Sequence, residues 1–202
     1  MTANNQNDGF DPEAAKAPII TRRLLLRAPG AADLPALSRI INDPAIARYN
    51  VGVPFPYPAI EGWRFLRALK RGQGNSANFF LALRDNPGHI VGGAGFRWYR
   101  GAPPDLGYWI AAACRRRGYA GEATRALLER IFTIAPDVTE VHALVRDGNI
   151  PSERVLKRAG FARQGMGLSY SRSERRYLPM IRFVLRRAAW EYKRRAGAKP
   201  MG

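Results

Sequence analysis

A single cysteine, Cys114, among 202 residues leaves no partner for an internal disulfide, and one lone thiol suits a reducing compartment. Histidine is almost as scarce, with two in the chain, which argues against a dedicated structural zinc site. No run approaches the roughly 18 unbroken apolar residues of a membrane span. The opening stretch, MTANNQNDGFDPEAAKAP, is polar and lacks the basic-then-apolar order of a secretory signal. A cytoplasmic location is therefore expected. No repeat of about 20–50 residues is visible.

Acidic residues are few, 16 against 33 basic ones, for a net charge of +17. Such a balance is the footprint of a nucleic-acid binder. Lysine, however, supplies only five of the 33 (Lys16, Lys70, Lys157, Lys193 and Lys199). A composition rich in Arg, Ala, Gly and Pro is also what a GC-rich genome encodes, and the arginines are spread along the chain rather than gathered in one arm. Two readings stay open: an RNA, ribosomal or acidic partner, or a solvated basic surface.

What the chain does have is 46% hydrophobic residues, enough for one domain with a proper core. Residues 1–17 read as a flexible leader, 18–187 as the domain, and 188–202 as a helical end fading into a basic tail. Residues 20–29 predict a strand that stops at Pro29-Gly30. Asp33 stands where an N-cap would open a helix through Ile41, with Leu34, Leu37, Ile40 and Ile41 on one face; Pro44 ends it. The loop 49–58 holds three prolines and three aromatics. A helix over 59–71 follows. Strands are expected over 78–84 and 89–99, joined by a turn at 85–88, and over 105–111. A long helix spans 118–134, a strand 139–145, and a short helix 151–159, stopped by Gly160. Two strands, about 161–170 and 178–186, close the chain. This order predicts a mixed α/β sheet with one central crossover.

The chemistry is written in DLGYWIAAACRRRGYAGEATRALLERIF. A strand runs out, an arginine-rich turn follows, and a helix begins near Gly118. The first N–H groups of a helix lack internal partners and carry the positive end of its dipole. Gly118, Ala120 and Gly121 would let a ligand approach that backbone, which suits a pyrophosphate. Arg115, Arg116 and Arg117 would add charge. By itself the turn is equally a glycine-containing bend before a surface helix.

The flanks carry more. Arg115-x-x-Gly118-x-Ala120 resembles the Q/R-x-x-G-x-G/A signature of the GNAT superfamily of acyl-CoA N-acyltransferases. The blocks Asp105-Leu106-Gly107-Tyr108-Trp109-Ile110, Gly118-Tyr119-Ala120-Gly121-Glu122-Ala123 and Asn149-Ile150-Pro151-Ser152-Glu153-Arg154-Val155-Leu156, with Gly160-Phe161 behind, look like those of its RimJ/RimL branch. The resemblance covers about residues 20–187. It implies a mostly antiparallel sheet of about six to seven strands splayed into a V, with about four helices. It also implies acetyl-CoA as co-substrate, no metal, and a primary amine acceptor, either a protein or peptide N-terminus or a small molecule. A metabolite or antibiotic amine, or a non-catalytic CoA-binding module associated with RNA or ribosome, are the alternatives. No membrane partner is expected, and the protein would be a monomer or homodimer.

The same resemblance implies roles for individual residues. Backbone at Ile110 and Ala112 would pair with the pantetheine arm, and the amides of Arg115, Arg116, Arg117, Gly118, Tyr119 and Ala120 would hold the pyrophosphate. Asn149 and Ser152 stand where the branch contacts the distal arm and the thioester. Asp105 matches a family glutamate that serves as base, one methylene shorter. Ser152 is the candidate acid, with Tyr170 a looser one; Asn149 reads best as a helix cap. Glu122 reads as structural and His142 as a satisfied core histidine. Cys114 lies at the pyrophosphate turn and need not be a nucleophile, since direct transfer requires no covalent intermediate. Tyr49, Phe55, Tyr57 and Trp98 could wall the acceptor pocket or simply pack. Glu174 stands near the branch's C-terminal acid, in a segment otherwise basic.

Overall fold

The computed structural model describes residues 11–71, 75–98 and 101–197. Its centre is an eight-stranded sheet in the order β1-β2-β3-β4-β5-β6-β8-β7. The strands are β1 (Ile19–Ile20), β2 (Leu24–Arg27), β3 (Asn75–Leu83), β4 (Asn86–Trp98), β5 (Asp105–Ile110), β6 (Glu140–Arg146), β7 (Ala162–Ser171) and β8 (Arg176–Arg186). Seven α-helices accompany them: α1 (Pro12–Lys16), α2 (Leu34–Ile41), α3 (Pro44–Tyr49), α4 (Ala59–Lys70), α5 (Tyr119–Ile134), α6 (Ile150–Ala159) and α7 (Arg187–Gly197). The mixed α/β architecture is the expected one. The extra elements are mostly short: β1 has two residues, α1 five and α3 six.

Three local readings differ from expectation. Pro44 begins a helix rather than ending one. Asp43 accepts from the Ala45 amide at 2.8 Å as N-cap, and proline at the first helical position forfeits no hydrogen bond. Asp33 is not a cap. Its carboxylate reaches back to Arg27 at 2.7 and 2.8 Å and to the Gly30 amide at 2.8 Å, because a nearly buried charge needs a partner more than a helix end does. Within the predicted leader, Pro12–Lys16 is helical with Ala15 fully buried in the core; Asp11 caps it. Residues 1–10 of that leader lie outside the described residues, as does the tail's end from 198.

Two apolar layers sandwich the sheet. On one face Leu127, Leu128 and Ile131 of α5 and Leu156 of α6 pack with Leu106, Val141, Ala143, Ile181 and Phe183. On the other, Leu34, Leu37 and Ile41 of α2 and Leu66 of α4 pack with Phe80, Ile90 and Trp109. Strand alternation puts odd and even residues of β5 on opposite faces, so Leu106 and Tyr108 look toward α5 and α6 while Trp109 looks toward α2 and α4. Gly93 is required beneath Trp109, since a Cβ there would lie 2.5 Å from the indole nitrogen.

All neighbouring strands are antiparallel except β5 and β6. These run parallel and share one registered pair, Asp105 with His142, with the His142 amide on the Pro104 carbonyl at 2.8 Å. Beyond it they part. β6 stays paired with β8 from Glu140 to Arg146, and β5 stays paired with β4 from Asp105 to Ile110. The sheet therefore splits into a V with Asp105 at its apex.

Candidate active site

At the open end of the V, β5 runs into a 3-10 turn at Ala112–Cys114 and then the arginine-rich turn. Two residues of that turn are left-handed, Arg116 at φ 62° and Gly118 at φ 80°. A non-glycine residue in that region is uncommon. Alternating left-handed residues turn successive amides to one side and form an anion-binding concavity. The backbone at 115–118 is exposed, α5 starts directly behind it, and a Cβ on Gly121 would meet nothing within 4 Å.

Three distant groups hold the turn in place. Arg23 donates from one terminal nitrogen to the Arg117 carbonyl at 2.9 Å, and its guanidinium lies 4.9 Å from the Tyr119 ring centroid. Glu122, buried in the first turn of α5, accepts from Thr21 Oγ1 at 2.6 Å, from the Arg23 amide at 2.8 Å and from Arg23 Nε at 2.7 Å. Burial alone would push this carboxyl up, but those donors outweigh it and hold the pKa below the ordinary range. Asp43 pairs with Arg115 at 2.9 Å. The Arg115 guanidinium is thus partly neutralised; Arg116 and Arg117 extend side chains without an ion pair among the described residues.

Ile110 ends β5 with its carbonyl accepting weakly from Arg115 Nε at 3.3 Å, and Ala112 is exposed. Ala120 and Tyr119 are half-buried at the start of α5. Cys114 is buried, with Sγ 3.9 Å from His89 Nε2.

Across the V, Asn149 is the N-cap of α6, its Oδ1 accepting from the Ser152 amide at 3.4 Å. Ser152 Oγ lies 3.0 Å from the Tyr108 hydroxyl, which is also 3.2 Å from the Ser152 carbonyl. This pair bridges the two arms of the split. Burial pushes the Tyr108 phenol up to about 12, with the Ser152 hydrogen bond working against it, so it stays a neutral donor. Tyr108 stands inside a block already quoted, yet its partnership with Ser152, 44 residues on, has no sequence signal. The same holds for Arg23 and Asp43.

Asp105 and Ser152 occupy opposite faces of β5. Asp105 Oδ1 is buried with no hydrogen-bond partner. Burial raises its pKa above the ordinary aspartate value, while Arg97, His142 and Arg182 pull it back. His142 is held by Glu140 at 2.8 Å.

Of the four aromatics that could wall an acceptor pocket or simply pack, Tyr57 is buried and Trp98 partly buried. Tyr57 lies between Asn42 and the α2–α4 layer, and Trp98 packs against the α5 layer. Tyr49 and Phe55 are exposed. Tyr170 is an exposed edge-strand residue stacked edge-on with Tyr177 at 5.5 Å. Glu174 pairs with Arg146 and, at 2.7 Å, with Arg176. The turn carrying it is tied to the 49–58 loop through the Arg172 amide on the Val51 carbonyl at 2.9 Å, and to α4 through Arg172 on Glu61 at 2.8 Å.

Residues 23–162 match the model of the acetyltransferase (GNAT) domain. The chain belongs to the GNAT acetyltransferase family. Among curated relatives of this GNAT protein, the uncharacterized N-acetyltransferase YnaD of Bacillus subtilis is 29% identical over 150 residues, 73% of this chain and 84% of its own length. Among solved structures, RimJ of Mycobacterium smegmatis in complex with CoA-disulfide superposes with TM-score 0.69, at 22% identity, covering 90% of this chain and 93% of that one. The spermidine N-acetyltransferase of Vibrio cholerae, in complex with CoA and spermine, gives 0.69 at 17% identity, covering 85% and 99%. The mixed, split GNAT sheet expected from the three sequence blocks is the one observed. No helix among the described residues is long and apolar enough to cross a membrane, and no cluster of three or more metal-ligating side chains occurs among them.

Proposed function

We propose that this GNAT protein transfers the acetyl group of acetyl-CoA directly to a primary amine, a protein or peptide α-amine or a small amine. One observation carries the reading: the β5–β6 split has an anion-ready turn at its open end, a hydroxyl pair on one face and an unpartnered carboxylate on the other. The amides of 115–120 take the pyrophosphate, with Arg116 and Arg117 adding charge and Arg23 holding the turn. The free edge of β5 toward Ile110 and Ala112 offers backbone groups to the pantetheine arm, with Asn149 and Ser152 at its far side.

Transfer forms a C–N bond and breaks a C–S bond. An ammonium has no lone pair to attack with, so its proton goes first to Asp105, directly or through water. Raising the carboxyl's pKa by burial makes it a better base. The departing thiolate takes a proton from Ser152 Oγ, which Tyr108 can replenish across the 3.0 Å hydrogen bond. Base and acid stand on opposite faces of β5, so the amine is deprotonated on one side of the split and the departing thiolate is protonated on the other. One buried thiol, Cys114, is compatible with a cytoplasmic setting.

Release of free thiol from acetyl-CoA in the presence of a panel of peptides and small amines tests the reading. A purified protein that binds no CoA at all would refute it.

A further inference from the structure

The acceptor side of the split has an unusual charge inventory. Asp105 is in register with His142, and Leu144, two residues along β6, is in register with Arg182 of β8. Alternation therefore places Asp105, His142, Leu144 and Arg182 on one face of the sheet. Arg97 of β4 is in register with Asp105 on the same face.

Most charges there are already matched. His142 is bonded to Glu140. Arg146 is bonded to Glu174 and to the Arg48 carbonyl. Arg186, also exposed and without an ion pair among the described residues, shares this face but lies toward the closed end of the split. Toward the open end two groups stand apart: Asp105, whose buried Oδ1 has no hydrogen-bond partner, and Arg182, whose exposed guanidinium makes no hydrogen bond or ion pair among the described residues. Nothing crowds the space near them. A Cβ added to Gly107 of β5, or to Gly165, which is in register with Arg182, would meet no atom within 4 Å. Leu144, 40% exposed, forms an apolar step between the two.

We infer that Arg182 is a specificity residue that selects acceptors carrying a carboxylate close to the reacting amine. The ammonium faces Asp105 and the carboxylate faces Arg182. Two strand spacings across and two residues along separate their Cα atoms by about 12 Å. The two side chains take up roughly half of that, leaving a gap that one or two peptide residues span. An α-amine with an acidic residue next in sequence fits. A polyamine does not, because its further cations would meet the Arg97 and Arg182 guanidiniums. The inference rests on the proposed transfer site in the β5–β6 split, and it separates this chain's acceptor from the spermine held by the structural relative.

The test compares two isosteric tetrapeptides, Ser-Asp-Glu-Ala and Ser-Asn-Gln-Ala, by thiol release. The acidic peptide is expected to have a kcat/KM about tenfold higher, from one charge-assisted Arg–carboxylate contact, mostly through KM. Arg182→Glu should drive that ratio to one or below, and Arg182→Gln should fall between. A wild-type ratio near one, or a ratio that survives Arg182→Glu, overturns the inference. Should neither peptide be acetylated while another amine of the panel is, the acetyl-transfer reading stands and these peptides are not its acceptors. Titration of the two peptides into the CoA-saturated protein then decides the inference separately. Tighter binding of the acidic peptide that Arg182→Glu abolishes supports it, and equal binding sinks it.

Discussion

Glu122 in the first turn of α5 grips Arg23 by both its amide and its guanidinium, across 99 residues of sequence. Arg23 in turn holds the Arg117 carbonyl. A carboxylate therefore fixes the arginine that shapes the proposed pyrophosphate turn. Glu122→Ala would leave Arg23 and Thr21 without their acceptor. A loss of about 3 kcal/mol in urea unfolding is expected, the scale of a broken charged hydrogen-bond network. CoA affinity should fall with it, measured by calorimetry on protein that is still folded.

Asp33, Glu61 and Glu122 all have pKa values held below the ordinary carboxylate range. Arg27 does this for Asp33, against some cost of burial, and Arg172 with Arg64 does it for Glu61. A depressed folded pKa stabilises above the unfolded value and loses that stabilisation as pH falls through the folded one. Melting temperature should thus be flat above about pH 5 and drop below about pH 4. Replacing Glu122 with Gln should make that acid drop shallower.

For Asp105 the sign is opposite: burial raises its pKa. As a base it must be ionised, so activity should rise with pH along a limb that lies above the ordinary aspartate range. Asp105→Asn is expected to abolish this limb and to lower kcat about 100-fold. A variant that keeps the wild-type profile would remove Asp105 from the mechanism.

Ser152→Ala takes away the proton donor, and Tyr108→Phe takes away only its support. The first should cut kcat about 100-fold and the second several-fold less, with CoA binding retained in both. If the phenylalanine variant proves the more damaged of the two in thiol-release assays, Tyr108 is itself the acid.

Arg187 closes the far end of α5. Its guanidinium reaches the carbonyls of Phe132 at 3.2 Å, Ala135 at 2.6 Å and Val138 at 2.8 Å, and lies 4.5 Å from the Phe132 ring centroid. Positive charge suits a helix C-terminus, and only the planar fork serves three acceptors. Arg187→Lys should therefore lose most of the roughly 2–3 kcal/mol that Arg187→Ala loses in urea unfolding.

Periodicity and punctuation made most of the fold legible. The long helix up to Ile134, the hairpin around Asn86 and the order of the later strands follow from local signals that act within a few residues. The proposed donor half of the site was legible for the same reason: Gly118 and its neighbours, the Asn149 cap and Ser152 lie in contiguous blocks. Local signals also misled. Pro44 was read as a stop when Asp43 makes it a start. Tyr57 and Trp98 resembled pocket walls because sequence does not say which face of the chain meets a helix.

By itself, then, the sequence determined a mixed sheet with a crossover helix behind a glycine turn, and from its blocks the family. The tertiary structure decided what depends on charges far apart in the chain. It paired Arg115 with Asp43, set Arg23 under the turn, joined Tyr108 to Ser152, and left a buried Asp105 oxygen without a hydrogen bond on the face that carries Arg182. An ion pair or an orphaned carboxylate is a property of which side chains meet in space, and a linear pattern carries no record of that.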